Sequence, residues 1–269
     1  MPSIISVINQ KGGVGKTTSA INLSAGLALK NFKVLLVDLD PQGNASTGVG
    51  IEQNERDKSI YDLLIRKNNF TECVKKTKIE NLSIIPANSE LSGLESEIAN
   101  DPEKAFLLKR IIDDYLNDPT NEQYSHIIID CPPSLSLLTI MALVVSKSLL
   151  VPLQTEFFAL EGLSQLVKTI DRLKTNLNKS LEIQGIVLTM YDKRNKLCIE
   201  VENEARKFFG EKVYKVNIPR NVRISEAPSY GLPVLLYDKY CSGSLAYNLL
   251  VDEFLVRNSL VKEEVIYNG

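Results

Sequence analysis

Apolar residues fall in short, nearly unbroken runs, separated by longer stretches in which they recur every three or four positions. The runs at residues 4–9, 33–38, 82–86, 126–130, 148–153, 183–190 and 212–216 are rich in Ile, Val and Leu, as strands buried on both faces should be. The spaced stretches at 17–30, 103–117, 135–146, 159–177 and 197–209 predict helices, and 244–257 a closing helix. Strand, crossover helix and strand, repeated, predict an α/β fold: a mostly parallel twisted sheet with helices on both faces. Patterning is weakest at 48–77, which is polar and irregular apart from a short helix expected to start at Ser59. No repeat, low-complexity tract or Pro/Gly linker divides the chain. Residues 1–269 are therefore expected to form one domain, with 48–77 an insertion on it and 258–269 a mobile tail.

Composition narrows the class. The chain is 44% hydrophobic and 24% charged, enough for a sizeable core and a solvated surface. No apolar run approaches the ~18–20 residues that cross a bilayer, and the start lacks the basic head and cleavage site of a signal peptide. A cytoplasmic protein is expected. Cys73, Cys131, Cys198 and Cys241 are widely spaced with no Cys-x-x-Cys pair, which argues against a disulfide framework or a zinc site. The lone His126 opens an apolar run and reads as structural. A net charge of −2 excludes a wholly basic nucleic-acid binder, but the charge is uneven. Residues 191–223 hold nine Lys/Arg against five Asp/Glu, net +4, which leaves −6 on the rest. A local basic face is compatible with that distribution.

The first strand runs directly into Asn9-Gln-Lys-Gly-Gly-Val-Gly-Lys-Thr-Thr18 and then into a helical pattern. Strand, glycine-rich loop and helix N-terminus are the setting of a phosphate loop. Gly12, Gly13 and Gly15 let the backbone N–H groups around Val14 and Thr18 curl about phosphate oxygens without Cβ clashes. The helix dipole adds positive potential at the same place. Lys16 would reach the β- and γ-phosphates of ATP, and the Thr17 hydroxyl would ligate Mg²⁺. Gln10 stands where the simple pattern has its first glycine, and Lys11 follows, five residues before Lys16.

Val37-Asp-Leu-Asp-Pro-Gln-Gly-Asn44 points Asp38 and Asp40 the same way off the end of the second strand, where open parallel sheets carry active sites. His126-Ile-Ile-Ile-Asp130 is an apolar strand ending in an acid that can hold Mg²⁺ through water. None of these acids has an obvious partner that would make it a potent base. Positioning and charge stabilisation must then carry phosphoryl transfer, and slow intrinsic hydrolysis, suited to a switch, is expected.

The two-lysine loop resembles the deviant Walker A motif of the ParA/MinD family of ATPases, and residues 38–42 resemble that family's Asp-x-Asp-Pro-Gln motif. The resemblance runs from Ile4 to about Leu255. It implies that Lys11 crosses a dimer interface to the partner's nucleotide, doing the work of an arginine finger. It also implies that Asp40 positions the attacking water and that Asp38 supports the metal-water shell. Three later blocks, at residues 156–162, 188–194 and 218–229, resemble the ParA partitioning branch in its short Soj-like form. On that resemblance Pro219, Arg220 and Asn221 lie near the adenine, while Arg194 and Arg223 bind the DNA backbone. An ATP-bound homodimer would bind DNA non-specifically, on the nucleoid, and in a salt-dependent way. A ParB-type centromere-binding protein would accelerate hydrolysis and release, so that chromosome or plasmid copies are segregated. Arg194 and Arg223 also suit phosphate contacts by their own chemistry, lying on loops within the basic segment. Only three residues precede the first strand, so no operator-reading module is expected. The alternative is a MinD-like membrane-associated positioning ATPase, which needs a basic amphipathic C-terminal helix. Residues 251–269 carry four acids against two cations, and no membrane partner is expected.

Overall fold

The computed structural model describes residues 2–260. Its strands are β1 (Ser3–Val7), β2 (Val34–Asp38), β3 (Lys75–Lys76), β4 (Leu82–Ile85), β5 (His126–Asp130), β6 (Ser148–Gln154) and β7 (Glu182–Thr189). They form one sheet in the order β3-β4-β2-β5-β1-β6-β7. Only the short edge strand β3 is antiparallel to its neighbour. The helices are α1 (Lys16–Leu29), α2 (Asn44–Gly48), α3 (Ile60–Leu64), α4 (Phe70–Cys73), α5 (Leu94–Glu97), α6 (Leu107–Asn117), α7 (Leu137–Val145), α8 (Ala159–Asn176), α9 (Lys196–Phe209), α10 (Val222–Glu226), α11 (Val234–Tyr237) and α12 (Ser242–Arg257).

Alternation along the strands explains the layers. Ile5, Val7, Leu36 and Ile128 face one side of the sheet, where α1 and α12 cover them with Leu23, Leu27, Tyr247 and Phe254. Leu35, Val37, Ile127 and Ile129 face the other, against α3, α6 and α7. Beyond β1, the residues Leu163, Leu166 and Val201 of α8 and α9 pack on β6 and β7. Strands sandwiched in this way have no wet face, so their sequence has no polar alternation. The close crossing of α1 and α12 depends on Gly26, where a Cβ would stand 2.4 Å from a Val251 methyl. This is the α/β fold that the hydrophobic pattern predicts.

Residues 48–77 hold three features of order. The helix α3 starts after Ser59, whose N–H donates to Asp62 at 3.0 Å in a capping box. Ile60, Leu63, Leu64, Phe70 and Cys73 belong to the core beneath α6. Lys75 and Lys76 pair with β4. The run at 212–216, read as a strand, is not one. Val213 makes a single parallel bridge to Ile186, and Tyr214 donates to the Ile186 carbonyl at 2.8 Å. The next two backbone donors, on Lys215 and Val216, go instead to the Glu253 carboxylate of α12 at 2.9–3.2 Å. A side chain has taken the place of the ladder, so the sheet ends at β7. His126 is buried between Phe32 and Phe254, and burial lowers its pKa to about 4, as suits a structural histidine. All four cysteines are free. Among the described residues no helix is long and apolar enough to cross a membrane. Of the tail expected at 258–269, residues 261–269 lie outside the described residues.

Candidate functional site

β5 lies between β1 and β2, and Asp130 at its end is in register with both Val7 and Asp38. Adjacent strands are about 4.8 Å apart. Three motifs far apart in sequence therefore meet at the C-terminal ends of three adjacent inner strands, with the glycine-rich loop leaving β1 over the two acids. Asn9 anchors the loop by donating to the Pro152 carbonyl at 2.8 Å and accepting from the Lys11 N–H at 3.0 Å. Gly13 and Gly15 take φ of 74° and 91°, which a residue with a Cβ resists. The Thr189 hydroxyl donates to the Val14 carbonyl at 2.8 Å and ties the loop to β7. Gly15 caps α1 with no side-chain acceptor, so the first N–H groups of that helix are available to an anion.

Lys16 is 5% exposed and donates to the Lys11 carbonyl at 2.9 Å. Burial lowers its pKa, with Asp130, Cys131 and Asp40 opposing the shift. Lys11 is exposed and ion-paired with Glu156 of its own chain. The two lysines thus share a loop but face different surroundings.

Asp38 is fully buried and accepts from the Ser46 N–H and hydroxyl at 2.8 and 2.7 Å, and from the Asp40 N–H at 3.3 Å. Burial raises its pKa to about 6, against the pull of those hydrogen bonds. Asp40 is 9% exposed and accepts from the Gln42 N–H at 3.0 Å. Asp130 is also fully buried, and neither of its carboxylate oxygens has a hydrogen-bond partner. Burial and the nearby Asp38 carboxylate raise its pKa well above normal, opposed only in part by Thr17 and Lys16. A buried, unpartnered carboxylate beside a second acid and a threonine hydroxyl is a donor set that fits Mg²⁺. Among the described residues no three His, Cys, Asp or Glu side chains form a metal cage.

These shifts predict a pH effect. A carboxyl whose folded pKa lies above its unfolded value lends stability below the unfolded value and loses it as pH rises through the folded one. For Asp38 that window runs from 3.8 to about 6. Relative to Asp38→Asn, the nucleotide-free protein should lose about 2 kcal/mol of stability as pH rises across this window. Denaturant melts of both proteins at pH 4, 5 and 6.5 check it, and parallel curves would contradict it.

A cleft of about 360 Å³ opens beside the helix start, between Gly15 and Thr18 on one side and Pro219, Arg220 and Asn221 on the other. A parallel bridge ties Pro219 to Tyr191. Met190, in the left-handed region at φ 50°, lines the cleft. Strain of this kind gathers at functional sites. Asn221 caps α10, accepting from the Arg223 N–H at 2.8 Å. The same bridge sets the Arg194 loop beside Arg220 and the start of α10, so Arg223, expected on a loop, lies instead in the first turn of that helix, which Asn221 caps. Both arginines expected on DNA are held by acids of their own chain. Arg194 makes a two-pronged pair with Asp192 at 3.0 and 2.9 Å. Arg223 pairs with Glu226 at 2.9 Å and Asp238 at 3.4 Å. Sequence reading missed Ser46, Thr189 and Asn9, which hold the site's acids and loop. Asn9 opens the loop motif and Ser46 lies just past the acid motif, while Thr189 falls in the block at 188–194 that served only as a mark of resemblance.

A family model described as an AAA domain matches residues 2–183. The chromosome partitioning protein ParA of Caulobacter vibrioides is 49% identical over 254 residues, covering 94% of each chain. The sporulation initiation inhibitor protein Soj of Bacillus subtilis is 48% identical over 253 residues, covering 94% of this chain and 98% of its own. Among solved structures, cobyrinic acid a,c-diamide synthase from Mycobacterium smegmatis, with bound ADP and magnesium, superposes with a TM-score of 0.82 at 29% identity, covering 96% of each chain. With nearly the whole length matched at such identity, the chain belongs to the ParA/Soj family of chromosome-partitioning ATPases.

Proposed function

We propose that this chain is an ATP-driven DNA-partitioning switch: with ATP it dimerises and binds DNA non-specifically, and hydrolysis releases it. The observation that carries the reading is the meeting of Lys16, Asp38, Asp40 and the unpartnered Asp130 at adjacent strand ends, in a chain so close to ParA.

The N–H groups of residues 12–18 and the Lys16 ammonium cradle the β- and γ-phosphates, and the base enters the cleft at Pro219, Arg220 and Asn221. Thr17, Asp38 and Asp130 would hold Mg²⁺, which supplies neutralising charge at the phosphate oxygens. Asp40 orients the attacking water. Lys11 leaves Glu156 and reaches the nucleotide of a second copy, adding a cation where negative charge develops. The face that presents Lys11 also exposes Phe157 and Phe158, at 75% and 67%, an apolar surface of the sort that partners cover. Since positioning does the work, turnover without a stimulating partner stays below about 10 s⁻¹. A ParB-type centromere-binding protein is the stimulating partner on this reading, and the cargo is a chromosome or plasmid copy.

Arg194 and Arg223 exchange their own acids for DNA phosphate once two copies pool their basic faces. DNA binding measured with ATP, ADP and no nucleotide, at two salt concentrations, tests the whole. Binding should require ATP and weaken steeply with salt. Arg223→Glu should lower DNA affinity about tenfold to a hundredfold, the worth of a charged hydrogen bond, and leave ATP-dependent dimerisation intact. Unchanged DNA affinity would remove Arg223 from the interface. ATP-dependent liposome binding without DNA binding would replace the reading with a membrane switch.

A further inference from the structure

Arg56 is 5% exposed and follows the 3-10 turn Gln53–Glu55, in the weakly patterned segment. Its Nε and Nη2 donate to the Ile51 carbonyl at 3.2 and 2.7 Å, and Nη2 also donates to the Thr47 hydroxyl oxygen at 2.7 Å. That hydroxyl donates to the Gly43 carbonyl at 3.2 Å. The Gly43 N–H in turn donates to the Asp40 carbonyl at 2.9 Å. An unbroken chain of hydrogen bonds thus runs from the guanidinium to the turn that carries Asp40. The packing is equally direct, since a Cβ at Gly43 would stand 2.3 Å from Nη1. Gly43 itself has a φ of 63°.

Asp40 is held on its side-chain side only by the Gln42 N–H, within the same turn. Whatever places this turn therefore places the carboxylate. A buried guanidinium is costly unless well bonded, and burial does lower the Arg56 pKa, with the Asp38 carboxylate opposing. An apolar side chain would fill the same space without that cost, but it could not grip Thr47 and Ile51 together.

We propose that Arg56 is a positioning residue for ATP hydrolysis, clamping the turn over residues 40–43 so that the Asp40 carboxylate is fixed where it orients the attacking water. The inference rests on the reading of Asp40 as the water-orienting group. A residue needed only for folding would lower nucleotide affinity, hydrolysis and melting temperature together. A clamp on Asp40 lowers the hydrolysis step and spares affinity.

The test measures single-turnover hydrolysis, nucleotide affinity and thermal unfolding on the full chain for Arg56→Ala, Arg56→Lys, Thr47→Val and Asp40→Ala. Arg56→Ala should hydrolyse bound ATP about a hundredfold more slowly, the cost of a misplacement near 1 Å, with nucleotide affinity unchanged. Added methylguanidinium should restore part of the rate. Arg56→Lys keeps the charge without the planar fork and should stay slow. Thr47 is exposed, so Thr47→Val should fold whatever Arg56→Ala does, and should slow hydrolysis about fivefold, the worth of one hydrogen bond. Wild-type hydrolysis in both Arg56→Ala and Thr47→Val would overturn the proposal. So would a parallel loss of affinity, rate and melting temperature that methylguanidinium leaves untouched. Asp40→Ala separates the two levels. If it hydrolyses at the wild-type rate, the reading of Asp40 fails and takes the inference with it. If it is inactive while the Arg56 and Thr47 variants are not, only the inference fails.

Discussion

Replacing Lys16 by alanine is expected to abolish measurable nucleotide binding, a loss of at least about a hundredfold from two charge-assisted hydrogen bonds. Lys16 is the one buried lysine among the described residues, and it sits at the start of α1 where phosphates would lie. Burial pushes its pKa down, so the free protein holds a cation there at some cost, which an anionic ligand would relieve. Its bond to the Lys11 carbonyl at 2.9 Å also shapes the loop in the absence of ligand, so the variant loses both charge and preorganisation. The check is thermal. ATP should raise the melting temperature of the wild type by mass action and leave that of Lys16→Ala where it was. An equal shift in both would falsify the phosphate-loop reading.

Asp40→Ala is expected to have the opposite phenotype, a protein that binds ATP and stays bound. Its carboxylate takes part in only one hydrogen bond, from Gln42 within its own turn. The folding role belongs to Asp38, which Ser46 grips twice. Removing Asp40 therefore spares the fold, the loop, Asp38 and Asp130. Hydrolysis should fall about a hundredfold or more, the usual contribution of a group that orients and relieves an attacking water. The ATP-bound dimer should then persist on DNA after the wild type has dispersed. Light scattering over time in ATP reads this, and a monomer would refute it.

The parts of the site that sequence reveals are those whose chemistry is local. The phosphate loop declares itself because strand, glycines, lysine and helix are contiguous. Asp130 declares itself because an apolar strand ends on it, and β5 spans the residues that the pattern predicts. What stays hidden is held by contacts across the chain. Glu253 ends the sheet by taking the donors of Lys215 and Val216, and no periodicity in either segment announces that. Thr189 reaches Val14 across most of the chain. Arg56 lies in a polar stretch that looks like solvated surface, yet its side chain is buried because Thr47, Ile51 and Gly43 close over it. Periodicity reports which faces are apolar. It is silent about buried polar groups, whose partners decide whether they are tolerated.

The strand order has a consequence for how the protein comes to exist. Since β5 enters the sheet between β1 and β2, a chain emerging from the ribosome holds its phosphate loop long before it can place Asp130 beside it. β1 and β2 cannot pair with each other in the native way; β2 meets β4 first, whereas β1 waits for β5 and β6. Such non-local pairing slows folding and leaves strand edges open meanwhile. The walls of the cleft arrive later still, with Pro219 and Tyr247. If the base enters that cleft as proposed, nucleotide capture waits on chains whose synthesis is all but finished, and a truncated product would keep its most recognisable motif without the wall that completes the site.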